Sequence, residues 1–141
     1  TDQWLDIHRY NGKRVTRRLV ERLKGEGYRI VSTSPHIDGS TPDTFDLSKG
    51  KAAIFFGTEK QGITPELREL SDEFIQVPMY GFVESLNVSV CAAIVLQTLS
   101  ARLHGSDLPW RLGEERREEL MLKWLKRSVR DAERILLKRF E

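Results

Sequence analysis

Apolar and polar positions change period several times along the chain, and each change marks an element. Residues 4–10, "WLDIHRY", alternate apolar and polar side chains, the period-two signal of a strand. After Asn11-Gly12, "KRVTRRLVERLKGEG" puts Val15, Leu19, Val20 and Leu23 on one face and bases on the other. That spacing predicts an amphipathic helix stopping at Gly25 or Gly27. "YRIVSTS" (28–34) is a run of β-formers, and residues 35–50 read as a turn-rich loop around Pro35, Gly39 and Pro42.

"AAIFF" (52–56) is a short continuous apolar run, as in a strand buried on both faces of a parallel sheet. "GTEKQGIT" (57–64) is a glycine-bounded loop. "PELRELS" predicts a helix with Thr64 as N-cap and Pro65 at its first position. "FIQVP" (74–78) reads as another strand, and "SLNVSVCAAIVLQTLSARLHG" (85–105) as a long helix capped by Ser85 and closed by Gly105. Strands alternating with helices imply a three-layer α/β domain with a mainly parallel sheet lying between helices. "SDLPWRLG" (106–113) is a linker. Beyond it Leu120, Met121, Trp124, Leu125, Val129, Ala132, Ile135, Leu136 and Phe140 recur at helical spacing, a packing or dimerising helix. The expected organisation is one domain over residues 1–105, then a linker and C-terminal helical extension over 106–141.

Composition narrows the class. A chain of 141 residues buries roughly 70% of its unfolded surface, enough for a true core. With 39% hydrophobic and 31% charged residues it is globular in type. The net charge of +2 says little, but its distribution says more. Residues 1–30 carry eight bases against four acids, whereas residues 113–141 carry nine against seven, a mixed surface. Cys91 is the single cysteine, so no internal disulfide can form; a buried thiol and a reducing compartment are expected. No run approaches the ~20 apolar residues that cross a bilayer, and no signal peptide is visible. The opening at Thr1, directly in strand-like sequence, suggests a piece of something longer.

In an open parallel sheet, ligands bind beyond the carboxyl ends of the strands. The loops after residues 32–34, after Phe56 and after Val77 qualify, as does the turn after Tyr10. "GTEKQG" has the glycine spacing of a Walker loop, but Gly62 is followed by Ile63-Thr64 instead of Lys-Ser/Thr, and GxGxxG is absent. Nucleoside triphosphate and Rossmann dinucleotide sites therefore lose support. What remains is a tight loop in which Gly57 lets a ligand approach the backbone. In "VPMYGFVESLN", Pro78 fixes the backbone after a strand and Gly81 permits a conformation other residues resist. Two readings of Ser85 and Asn87 stand side by side. Either they bond their own helix start, or they point into a crevice shared with "GTEKQG". His8, His36, His104 and Cys91 lie far apart with no metal-ligand spacing, no GxSxG elbow exists, and the Asp43/Asp46 pair reads as a turn feature.

Taken together, the two loops resemble the SpoU family of S-adenosylmethionine-dependent RNA ribose 2'-O-methyltransferases, most of all its tRNA-methylating branch. "FFGTEKQGIT" is similar to the family's second motif, a strand followed by G-x-E-x-x-G. "IQVPMYGFVESLNVSVCAAIVL" is similar to its third, I-P-M-x-G-x-x-x-S-L-N-V-S-V-A. The resemblance covers residues 1 to about 105. It implies a SPOUT fold whose C-terminal part is tied into a deep trefoil knot, with the 77–85 loop cradling S-adenosyl-L-methionine largely through backbone groups. Thr33, Gly57, Val77 and Leu86 match cofactor-meeting positions, and Pro78 and Met79 belong to the same loop. Glu59, Ser85 and Asn87 match polar active-site positions: Asn87 and Ser85 to orient the site and the substrate, Glu59 to position neighbours or phosphate-proximal groups. The family's first motif, with its Asn and catalytic Arg, has no match here, so that arginine is assigned to no residue. The resemblance further implies a tRNA or rRNA substrate, a homodimer, a cytoplasmic location, and neither metal nor membrane. A second reading, a non-catalytic RNA-binding module, rests on the basic helix face carrying Arg14, Arg17 and Arg18.

Overall fold

The computed structural model describes residues 4–12, 14–82 and 85–129. The elements of the main unit, Asn11–Leu108, follow from local sequence. Helix α1 (Val15–Gly25) ends as its glycines predict. Gly27 takes φ 82°, its N–H bonds the Lys24 carbonyl at 3.0 Å, and the Tyr28 N–H bonds that of Leu23 at 2.9 Å. These are the paired bonds of a Schellman stop, which only a left-handed residue completes cheaply. Helix α2 (Pro65–Leu70) starts on Thr64, whose hydroxyl accepts the Leu67 N–H at 3.2 Å, with Pro65 at the first position.

Three parallel strands stand in the order β2–β1–β3: β1 (Arg29–Thr33), β2 (Ala52–Phe55) and β3 (Glu73–Ile75). β1 is the central strand, with Ile30, Val31 and Ser32 fully buried. "AAIFF" is instead the half-buried edge strand. Its continuous apolar pattern does not distinguish edge from centre, because both its faces are still covered. Alternation along β1 divides the core in two. Ile30 meets Val20 of α1 and Leu67 of α2 on one side. Val31 meets Phe45, Ile75, and Val95 and Leu99 of helix α3 (Val88–His104) on the other. The result is a sheet between helices, as expected.

The 35–50 loop is structured despite its turn-rich composition. Phe45 is buried, Asp46 caps a single 3-10 turn (Leu47–Lys49), and Ser40 bridges Ile75 along the outer edge of β3. Gly39 permits that approach, since a Cβ there would lie 2.4 Å from the Phe74 carbonyl oxygen. Arg29 ties the loop to β3: its guanidinium donates to Glu73 Oε1 at 2.6 Å and to the Asp46 carbonyl at 3.0 Å, and lies over the Phe45 ring.

Residues 4–10 with 109–129 form a separate unit. Here the sequence reading is overturned, because "WLDIHRY" is not a strand. No strand among the described residues pairs with it. Trp4 meets Trp124 edge-on at 5.8 Å, and Asp6 bonds Lys123 at 2.6 Å. The segment thus meets helix α4 (Glu114–Ser128) through Trp4 and Asp6, and Leu5 and Ile7 stay exposed. α4 is acidic in its first turn and basic in its last, the arrangement its dipole favours. Ala132, Ile135, Leu136 and Phe140 lie outside the described residues.

Candidate functional site

The three strands all point their carboxyl ends at one cavity of about 400 Å³. β1 connects to β2 on one side and the chain then returns to β3 on the other, so the cavity sits where the strand order reverses. Residues 33–37 form one wall, 56–63 a second, and Ile75, Val77 and Met79 a third; Ser85, Leu86, Val88 and Cys91 close it from the start of α3.

The 57–63 segment owes its shape to its glycines. Thr58 and Gly62 exchange backbone hydrogen bonds at 3.0 and 2.8 Å, a miniature hairpin with Glu59 and Lys60 near its tip. Gly62 holds φ 63°. Gly57 packs so close that a Cβ would lie 2.3 Å from the Gly62 carbonyl carbon. The space a Gly57 side chain would need is taken by the loop's own return strand, and Gly57 also lines the cavity.

Asn87 joins this hairpin to α3. It is the N-cap, its side-chain oxygen accepting the Ser89 N–H at 2.9 Å. Its Nδ2 simultaneously donates to Glu59 Oε1 at 2.6 Å, and the Val88 N–H reaches the same oxygen at 3.4 Å. Asn87 is therefore the local cap, and its amide is taken up by Glu59 of "GTEKQG". Ser85 is not the cap: the helix begins at Val88, and Ser85 lies exposed on the cavity wall. A carboxylate beside the first N–H groups of a 17-residue helix is favourably placed against the helix dipole.

Of the residues singled out from sequence, Thr33, Gly57, Glu59, Val77, Met79, Ser85 and Leu86 line the cavity together. Pro78 and Asn87 are not among its lining residues. Thr33 is anchored through its hydroxyl to the Phe55 carbonyl at 3.3 Å. Burial pushes the Cys91 thiol up from its ordinary range, only partly offset by a hydrogen bond with Thr33. The α1 arginines lie away from this cavity's lining. Arg14 is the N-cap residue, with φ 59°, Arg17 pairs with Glu66 at 3.2 Å, and Arg18 is exposed. Sequence reading passed over His36, Lys60 and Arg68, which also line the cavity. Lys60 stood inside a motif already quoted; Arg68 carried no local signal, since only the placement of α2 against the hairpin brings it there. Among the described residues no His/Cys/Asp/Glu group could hold a metal ion, and no helix is long and apolar enough to cross a membrane.

An open parallel α/β unit with a cavity at its switch point defines the class of protein. The chain belongs to the SpoU rRNA Methylase family, whose model matches residues 1–97. It is 34% identical over 131 residues to the tRNA (guanosine(18)-2'-O)-methyltransferase of Borreliella burgdorferi, covering 93% of this chain and 58% of that one. It thus spans little more than half the length of that curated relative. In structure it resembles the A. aeolicus TrmH/SpoU tRNA modifying enzyme, with TM-score 0.67 and 26% identity over 91% of this chain and 64% of that one. It also resembles the SpoU methyltransferase AviRb of Streptomyces viridochromogenes, solved with the cofactor AdoMet, with TM-score 0.54 and 25% identity over 67% and 36% of the two chains.

Proposed function

We propose that the chain carries the cofactor-binding part of an RNA ribose 2'-O-methyltransferase acting on tRNA or rRNA in the cytoplasm, with S-adenosyl-L-methionine as donor. The observation that carries this reading is the cavity at the strand ends, with the Glu59–Asn87 bond joining the two segments that flank it. Its volume lies in the range of small-molecule sites. Apolar Ile37, Phe56, Val77, Met79 and Leu86 alternate there with hydroxyl and backbone groups, a lining that suits a ligand with a flat apolar part and a polar tail. The family resemblance extends the reading to a C-terminal trefoil knot, with the 77–85 loop as part of it.

Thr33, Gly57, Val77, Met79 and Leu86 would hold the cofactor, and Pro78 would set the backbone between two of them. Bound there, the cofactor supplies an electrophilic methyl group. Ser85 and Asn87 orient the ribose 2'-hydroxyl, and Glu59 holds Asn87 in place. Keeping the reacting groups aligned is the larger part of the catalytic task. No arginine of this sequence matches the family's first-motif arginine, so the chain alone is expected to bind cofactor without appreciable turnover. A homodimer fits the exposed side of α3, where Val90 and Ile94, one turn apart, are uncovered. The 1–105 region would be the methyltransferase domain and 106–141 its extension.

Calorimetric titration with S-adenosylhomocysteine tests the reading. Saturable binding is expected, weakened more than tenfold by Leu86→Asp. No heat at millimolar ligand, with the chain folded by circular dichroism, would overturn it.

A further inference from the structure

The cavity is unbalanced in charge. Lys60, Arg68 and His36 line it, and Glu59 is the only acid among the described lining residues. Glu59 is already engaged by the Asn87 amide and the Val88 N–H. Some bases of this unit find acids: Arg17 pairs with Glu66, Lys24 with Asp72, Arg29 with Glu73. Lys60 and Arg68 form no ion pair among the described residues, although both are exposed and long enough to reach one. Two unpaired cations and an imidazole around a cavity with its one carboxylate occupied attract a ligand's anion. A guanidinium offers paired N–H donors to phosphate or carboxylate, and an ammonium adds a point charge.

We propose that Lys60 and Arg68 form a phosphate seat at the cavity, taking a phosphodiester next to the ribose presented there, with His36 as a third side chain on the wall. This rests on the reading of the cavity as an RNA methyltransferase site. The shared chemistry is anion recognition, and the alternative source of the anion is the cofactor's own carboxylate. The seat commits to the phosphate because its two cations stand on separate elements, the 58–62 hairpin and α2. A backbone running across the cavity mouth can meet both.

The test uses this chain, a fluorescent single-stranded oligoribonucleotide, the same oligonucleotide carrying uncharged methylphosphonate linkages, S-adenosylhomocysteine, and 5'-methylthioadenosine, which lacks the carboxylate. Lys60→Ala/Arg68→Ala should weaken the charged RNA more than tenfold and lower the slope of log affinity against log salt by about 0.7. It should bind the methylphosphonate RNA as wild type does and keep S-adenosylhomocysteine within twofold. Arg68→Lys should restore part of the RNA affinity. Unchanged affinity for charged RNA overturns the seat. So does a loss confined to S-adenosylhomocysteine and absent for 5'-methylthioadenosine, which assigns the cations to the carboxylate. Wild-type chain that binds neither adenosyl ligand while the RNA results hold would sink the methyltransferase reading and leave the seat standing.

Discussion

The Asn87 side-chain amide donates to the Glu59 carboxylate at 2.6 Å across 28 residues of sequence, while its oxygen caps the helix it begins. One side chain thus starts α3 and fixes the position of the 58–62 hairpin. Glu59→Ala removes the acceptor and the charge beside the helix N-terminus. It should lower stability by about 1 kcal/mol in urea unfolding and weaken S-adenosylhomocysteine further than stability alone explains. Glu59→Gln keeps an acceptor and should lose about half as much.

Gly57 has no room for a side chain. Gly57→Ala would push a Cβ to 2.3 Å from the Gly62 carbonyl carbon, so the hairpin must open. A cost of about 1–3 kcal/mol is expected in chemical denaturation, together with loss of adenosyl-ligand binding by calorimetry.

Asp72 makes stability depend on acid. Burial works to raise its pKa, but the Ile30 N–H, at 2.8 Å, and the Lys24 ammonium outweigh it and hold the carboxyl below its ordinary 3.8. The unfolded chain therefore binds the proton more readily than the folded one, and stability rises with pH in this range. The contribution is complete above about pH 3.8 and is lost as pH falls through the lower folded value. Asp72→Asn should flatten that part of a stability profile measured between pH 2 and 6, on the order of four units across.

Arg29 is expected to matter more than its position in a β-strand suggests. Its Nη1 donates to Glu73, its Nη2 to the carbonyls of Asp46 and Gly50, and its plane covers Phe45. Arg29→Ala should cost about 2 kcal/mol in thermal or urea unfolding, because Glu73 and two carbonyls lose their donor. Arg29→Lys should recover little, since an ammonium cannot replace a planar fork with donors on both nitrogens.

The exposed stripe of α3 is where self-association is expected. Ile94→Glu places a charge one turn from Val90 and should shift sedimentation velocity toward monomer without altering the thermal transition of the isolated protomer. An unchanged dimer fraction would place the interface elsewhere.

Much of the architecture was legible because its causes are local. Thr64-Pro65 announced α2, the glycines after Lys24 announced the end of α1, and Gly105 caps α3. Each signal depends on hydrogen bonds within about four residues, which adjacent sequence can express. "WLDIHRY" misled for the same reason. Period-two alternation states that one side is apolar, not what that side will face, and Trp4 faces a helix. Ser85 misled as a cap because two residues suited to capping stood close together, and the one that begins the helix, Asn87, is also the one bonded to Glu59, 28 positions away in sequence.

Sequence alone determined the succession of strands and helices from α1 onward, the two loops around the cavity, and the family motifs within them. Tertiary structure decided that β1 and not β2 is the central strand, that Asn87 serves two elements at once, and that Lys60, Arg68 and His36 share the cavity with the motif residues. The division has a physical cause. Caps, turns and periodicity are energies of neighbours along the chain, whereas strand order and a cavity's charge are set by packing between segments whose proximity exists only once the sheet has formed.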